Sequence, residues 1–171
     1  MLGGLRPFTT EAMHPDLREE ILHHWHEVHK LSGQPFSFEG ALADGFVYDT
    51  EPACRAVITM GNLKNENIFA YFTAIQSAFY VDQQDVTRTD ILASLAVLQG
   101  ITEDQFLNYF NSEEARQKTM QHFTGTQQAG VRGFPSLVIQ QGAEFEFISR
   151  GYQSLDTLDK TIRDWLNNHT S

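Results

Sequence analysis

Cysteine is almost absent from this sequence: its 171 residues include one, Cys54. A single thiol excludes an intrachain disulfide and a cysteine-rich zinc site. It also cannot run a two-thiol redox cycle alone, because a second thiol is needed to resolve the mixed disulfide.

Positive charge and long apolar runs are scarce as well. Lys and Arg number 12 against 22 Asp and Glu, so the formal net charge is −10. This excess of carboxylates repels phosphate and argues against nucleic-acid and anionic-membrane partners. No apolar stretch reaches the ~18 residues that suggest a membrane span, and the N-terminus lacks the basic start and apolar run of a secretory signal. We therefore expect a cytoplasmic protein.

Apolar residues recur at helical spacing over most of the chain. Leu17, Ile21, Trp25 and Val28 make one such face, between a proline in the first turn and Gly33 at the end. Further helices are predicted from a Thr50 N-cap to Gly61, over residues 65–81 and 85–100, from a Thr102 capping box through Phe110, and over 113–129. The organisation is thus a long all-helical block up to about residue 130.

The period changes after residue 130. Residues 136–140 and 145–148 read as two short strands joined by a turn at Gly142, and Ser154 caps a last amphipathic helix. Two isolated strands do not make a stable sheet. Something must therefore pair with this hairpin.

The entry to the first strand holds the most informative pattern, Gly-Val-Arg-Gly-Phe-Pro-Ser-Leu-Val-Ile at 130–139. Pro135 cannot donate to a strand ladder. A cis peptide between Phe134 and Pro135 would suit this position, but on propensity alone an ordinary loop-to-strand entry is the better interpretation.

Three more segments, together with this one, carry a resemblance that covers essentially the whole chain. They read Gly-Gly-Leu-Arg-Pro-Phe at 3–8, Asp-Thr-Glu-Pro-Ala-Cys-Arg-Ala-Val at 49–57, and Ala-Tyr-Phe-Thr-Ala-Ile-Gln-Ser-Ala-Phe-Tyr at 70–80. In this order they resemble DsbA-family thioredoxin folds, in the FrnE-like branch. The resemblance implies an α/β, thioredoxin-like fold with a large helical insertion. It places residues 1–9 and 130–171 in a partial thioredoxin-like domain and residues 10–129 in the insertion.

The sequence departs from that family at its start. Family members begin with a strand, a Cys-x-x-Cys loop and a helix, and the segment at 3–8 comes after them. We therefore expect an N-terminally truncated fold without the catalytic pair. The central strand, between one ending near Leu5 and the one at 136–140, would be missing too. Its absence would leave an unpaired edge on the hairpin.

The resemblance gives Arg132, Phe134 and Pro135 a role in substrate binding. The backbone at Phe134 would pair with an extended substrate peptide, where Pro135 has no N–H to compete. Cys54 does not match the family's catalytic pair. Its place early in a helix could favour a thiolate, but its apolar neighbours favour a packed thiol. The histidines at 23–29 lack the spacing of a zinc motif, so neither a metal nor a cofactor is expected.

By resemblance, the parent activity is dithiol–disulfide oxidoreductase or isomerase chemistry on protein or small thiol substrates. The given chain should be redox-inactive by that mechanism. Several hypotheses remain open: a fragment of a longer enzyme, a non-catalytic module that binds a peptide or partner, and a homo-oligomer whose copies fill the vacant strand position. A relative of glutathione-linked isomerases is a more distant alternative.

Overall fold

A computed structural model describes residues 2–169 and contains seven α-helices and one two-stranded sheet in that range. The elements, in chain order, are α1 Pro15–Ser32, α2 Glu51–Leu63, a 3-10 turn Asn65–Asn67, α3 Ile68–Tyr80, α4 Thr89–Leu98, α5 Glu103–Phe110, α6 Glu113–Gln128, β1 Ser136–Gln141, β2 Glu144–Arg150 and α7 Leu155–His169. The chain divides into two compact units, Met1–Thr124 and Gly125–Ser171. The domain boundaries proposed from the sequence stay a prediction.

The core of the first unit is built from helices α1 to α5. Tyr71, Phe106 and Phe110 are among its largest fully buried side chains. The two phenylalanine rings stack with centroids 5.2 Å apart. The Tyr71 hydroxyl donates a hydrogen bond of 2.8 Å to the Leu92 carbonyl, so this buried polar group is satisfied. These aromatic residues are thus core residues as predicted, but the prediction is wrong for Phe69 of α3, which is 82% exposed.

The residue that caps the start of α2 is not the one predicted. Thr50 occupies the N-cap position, but its side chain makes no capping bond; its hydroxyl accepts from the Arg6 N–H at 3.1 Å. The Asp49 carboxylate accepts from the N–H groups of Glu51 and Phe8, at 2.9 and 2.8 Å. Asp49 therefore satisfies the first free helix donor and also fixes the segment near residue 8.

Residues 2–14 form no strand, although the sequence suggested a strand ending near Leu5. A strand needs a neighbour to receive its backbone hydrogen bonds. Here the Leu2 N–H donates to the His122 ring nitrogen at 3.3 Å, and the Arg6 carbonyl accepts from the Thr50 N–H. The segment's backbone groups are thus taken up by helices and loops of the first unit.

Two predicted helices are shorter than their apolar pattern. The helix expected over 85–100 begins at Thr89, because the Asp85 carboxylate accepts from both the N–H and the hydroxyl of Thr87 and holds a turn there. The helix expected over 65–81 opens with the 3-10 turn. A local side-chain bond thus delays the start of α4, whereas near the 3-10 turn the Asn67 side chain donates to the distant Gln99 carbonyl.

The second unit pairs a β-hairpin with α7. Strands β1 and β2 are antiparallel, with Ser136 opposite Arg150 and Gln141 opposite Glu144, and one bulge beside Leu137. The Trp165 indole of α7 donates to the Glu146 carboxylate at 2.5 Å. Within residues 136–169 no side chain is fully buried. The hairpin prediction is confirmed, and the apolar side chains of the hairpin and α7 stay partly exposed.

The contribution of the α5 capping box to stability can be tested by substitution. Thr102 accepts from the Gln105 N–H at 3.2 Å, and Gln105 accepts from the Thr102 N–H at 3.0 Å. We predict that Thr102→Ala lowers the free energy of unfolding by about 1 kcal/mol, since one helix donor loses its partner. Urea unfolding measures this. Thr73→Ala, on an exposed position of α3, is the control and should change stability by less than about 0.5 kcal/mol; equal losses would contradict the capping account.

Candidate functional site

The loop before β1, residues 130–135, is held by hydrogen bonds within the second unit. The Phe134–Pro135 peptide bond is cis. The Val131 N–H donates to the Thr126 carbonyl at 3.1 Å, and the Gly151 N–H donates to the Pro135 carbonyl at 2.9 Å. The Ser136 hydroxyl donates to the Gly133 carbonyl at 2.7 Å. These bonds fix both ends of the loop.

Between those fixed ends the loop faces solvent. Arg132, Phe134 and Pro135 are all exposed, and 45% of Phe134 is accessible. In the part of the chain described, strand β1 pairs with β2 alone, so its other edge has no neighbouring strand. The three residues predicted from the sequence therefore lie together at the entry to a strand with one open edge.

A further arginine, Arg150, lies at the same end of the hairpin and was not predicted from the sequence. The Arg150 guanidinium lies 3.3 Å from the centroid of the Phe147 ring. Its Nη1 donates to the Gly130 carbonyl at 3.4 Å. The register places Arg150 opposite Ser136, directly after the loop. Only the strand pairing reveals this, because Arg132 and Arg150 are far apart in sequence.

Cys54 belongs to the other unit and lies in the first turns of α2. Burial, together with the nearby carboxylates of Glu51 and Asp49, raises the pKa of its thiol to about 12. A helix start favours a thiolate, but here burial and two negative neighbours outweigh that effect. The side chain is a thiol at neutral pH, so it lacks the activation that a nucleophile needs.

A buried ion pair lies one residue beyond Cys54. Arg55 Nε is 2.9 Å from a Glu51 carboxylate oxygen, and Nη2 donates to the other oxygen at 3.2 Å. Nη1 donates to the Phe110 carbonyl at 3.0 Å, and the guanidinium lies 4.0 Å from the centroid of the Phe110 ring. Burial raises the pKa of Glu51 even though Arg55 lowers it. This network joins α2 to α5 and does not form a reaction centre.

Other chemistry-bearing groups of the first unit have structural roles. The His26 ring stacks on Phe38 with centroids 3.8 Å apart. Two cavities of about 320 and 280 Å³ lie beside the loop at residues 42–45, and neither is lined by Cys54. Over residues 2–169 no group of three or more His, Cys, Asp or Glu side chains is placed to hold a metal ion. In the same range no helix is long and apolar enough to cross a membrane.

The fold and the loop define a class: thioredoxin-like domains in which a proline-containing loop leads into a sheet strand. The family model for the DSBA-like thioredoxin domain matches residues 7–163. The chain therefore belongs to the DSBA-like thioredoxin domain family, as the sequence resemblance predicted. The search of curated proteins found no match.

The solved structures similar to this chain include two proteins with descriptions related to disulfide chemistry. One, from Nitrosomonas europaea, carries the provisional description of a protein disulfide isomerase; it is 45% identical, has a TM-score of 0.92, and the match covers 95% of this chain and 80% of that one. The other, the cytosolic disulfide reductase DsbM from Pseudomonas aeruginosa, is 23% identical and has a TM-score of 0.74. The match covers 98% of this chain and 81% of DsbM. DsbM with GSH gives nearly the same match, at 23% identity and a TM-score of 0.73 over 98% of this chain and 81% of that one.

The Glu51–Arg55 pair yields a pH-dependent prediction. Arg55→Met leaves the Glu51 carboxylate buried without its partner, and breaking such a pair costs about 3–5 kcal/mol at neutral pH. Because burial already raises the pKa of Glu51, losing Arg55 raises it further. The deficit is therefore smallest below about pH 4.3, the ordinary glutamate value, and grows as pH rises through the raised value.

Urea unfolding of the wild type and Arg55→Met at mildly acidic and at neutral pH measures this deficit. The control compares Glu51→Gln with the double variant Glu51→Gln, Arg55→Met; because neither protein carries the carboxylate, the pH dependence of the deficit between them should vanish. A deficit of equal size at every pH would contradict the electrostatic account and assign the loss to packing on Phe110.

Proposed function

We propose that the chain binds thiol- or disulfide-bearing peptide substrates at the loop containing Arg132, Phe134 and Pro135. The observation that carries the proposal is the exposed loop that enters a strand with one open edge. An open edge offers unpaired N–H and C=O groups, which an extended peptide can meet by strand addition. The disulfide-exchange family to which the chain belongs supplies the substrate class.

Phe134 and Pro135 have different roles in this proposed binding. The Phe134 backbone makes no hydrogen bond within the described residues, and the residue is 45% exposed, so its main chain is available to a substrate strand. The Pro135 carbonyl is already bonded to the Gly151 N–H. Because proline carries no N–H, Pro135 leaves no unpaired donor beside the substrate. The exposed Phe134 ring adds an apolar contact for the substrate's side chains.

The reaction of the family needs more thiols than this chain has. A thiolate attacks one sulfur of a substrate disulfide, the S–S bond breaks, and the other sulfur leaves as a thiolate. A second thiol then attacks the mixed disulfide and becomes part of the new disulfide. Cys54 is the one thiol among the 171 residues, and its raised pKa keeps it protonated. We therefore propose that this chain binds such substrates without turning them over, as a peptide-binding module.

We propose a cytoplasmic setting for this chain and leave the substrate's size open. DsbM is described as a cytosolic disulfide reductase, and one of its structures contains GSH. A cytoplasmic location for this chain is consistent with that neighbour. Glutathione-linked chemistry remains the second candidate, because a small thiol peptide and a protein segment could use the same open edge.

Insulin reduction tests the redox part of the proposal. We expect the 171-residue chain to give only the uncatalysed rate, with Cys54→Ser unchanged, and a version extended upstream to serve as the comparison. Turnover by the short chain that disappears in Cys54→Ser would overturn the proposal and make Cys54 the nucleophile. Turnover by the extended version alone would assign the chemistry to residues outside this chain.

A second copy of the chain is a further partner that the open edge could accept. Strand β1 has the sequence Ser-Leu-Val-Ile-Gln-Gln, without any charged residue. Edge strands usually carry charges or prolines that prevent self-pairing. We propose that β1 strands of two copies pair, and we expect a dimer by light scattering that Val138→Lys dissociates. A monomer at all protein concentrations tested would exclude this pairing, with Thr73→Lys as the charge-matched control.

A further inference from the structure

Two arginines lie at the end of the hairpin next to the loop, and they indicate which substrates the loop would select. The chain as a whole is strongly acidic, with a formal net charge of −10, yet Arg132 and Arg150 both lie exposed beside the proposed substrate loop. We infer that this loop selects extended thiol or disulfide peptides that carry a carboxylate next to the sulfur-bearing residue. The inference rests on the proposed function and specifies its substrate.

Arg150 is held in place and keeps free donors. Its guanidinium lies on the Phe147 ring at 3.3 Å, and only Nη1 is used, in the bond to the Gly130 carbonyl. An arginine has five N–H donors in a planar fork that matches a carboxylate. Stacking on the ring restricts the side chain before binding, so less conformational freedom is lost when an anion arrives.

Arg132 is placed to meet the same substrate. It makes no hydrogen bond or ion pair with any described residue, and it lies two residues before Phe134. An extended peptide advances about 3.3 Å per residue. A substrate paired with the Phe134 backbone therefore brings the side chains one or two positions from the paired residue within reach of a long arginine side chain. A carboxylate there gains an ion pair, whereas a lysine is repelled.

The two acidic residues of the hairpin lie away from the loop at different distances. Glu144 pairs with Gln141 beside the turn, about 20 Å from the loop. Glu146 lies opposite Ile139, about 10 Å along the strand from Ser136, and its carboxylate accepts from the Trp165 indole. On α7, Asp159 is already paired with Arg163, and Asp156 lies in the first turn. No carboxylate of β1 or β2 neutralises the two arginines.

Binding of redox-inert probes by the full 171-residue chain tests the inference. The probes are short peptides with a central serine in place of cysteine, flanked by Glu, Gln or Lys, together with S-methylglutathione. Titrations followed by amide NMR shifts give both the affinity and the site. We expect the Glu peptide to bind about fivefold more tightly than the Gln peptide at low salt, the upper end for one exposed ion pair, and the Lys peptide to bind most weakly. Added salt should shrink the preference.

Three variants separate the site from general charge. Arg132→Gln should abolish most of the preference for Glu over Gln, and Arg132→Lys should keep much of it. Lys160→Gln removes the same charge from α7, in a residue with no contact among those described, and should leave the preference unchanged. An equal loss in Lys160→Gln would show that overall charge, and not the loop, makes the selection, and would overturn the inference.

The outcomes also separate this inference from the proposed function. If Glu and Gln peptides shift the amides of 131–140 with equal affinity, the inference is wrong while the proposed function stands. If no probe shifts those amides, the proposed function is wrong and the inference is wrong with it. S-methylglutathione binding that depends on Arg132 supports the inference and identifies a small thiol as the source of the carboxylate; Glu-peptide preference without it identifies a protein segment.

Discussion

Within the described residues, strand β1 has a single neighbour, and this constraint shapes the second unit. Its ladder to β2 satisfies one side of the strand, and the Gly151 N–H extends that ladder to the Pro135 carbonyl. On the other side the strand's backbone groups have no strand to bond with. Proline at the entry suits this situation, because it removes one donor that would otherwise be left unpaired. The exposed Phe134 and the open edge therefore belong to one structural arrangement.

The second unit leaves backbone groups unpaired, whereas the helical unit buries charged side chains that must be paired. Glu51 and Arg55 are 8% and 12% exposed as side chains, and each needs the other because a lone buried charge is costly. Burial and the same carboxylates that build the start of α2 raise the pKa of the Cys54 thiol. A reactive Cys54 is thus incompatible with the way this helix begins: Asp49 caps it and Glu51 holds Arg55. Packing decides the state of the thiol, and packing keeps it protonated.

Much of the fold could be read from the sequence because its signals are local. Gly33 ends α1 with a φ of 69°, as the spacing predicted, and the Thr102 box forms as the pattern indicated. The family membership was also predictable from ordered segments. What could not be read depends on distant residues. Asp49 takes over the cap of α2 because Arg6 occupies the Thr50 hydroxyl, and no local pattern indicates a bond across 44 positions.

The candidate site divides in the same way. Arg132, Phe134 and Pro135 are consecutive enough to be found as a motif, whereas Arg150 joins them only through the register that sets it opposite Ser136. This has a consequence for how binding and chemistry relate in the fold. Strand addition at Phe134 uses main-chain groups, and charge selection uses arginines, so neither requires a thiol. Disulfide exchange requires two. A chain of this family with one cysteine can therefore keep its means of recognising a substrate while lacking the means to oxidise or reduce it.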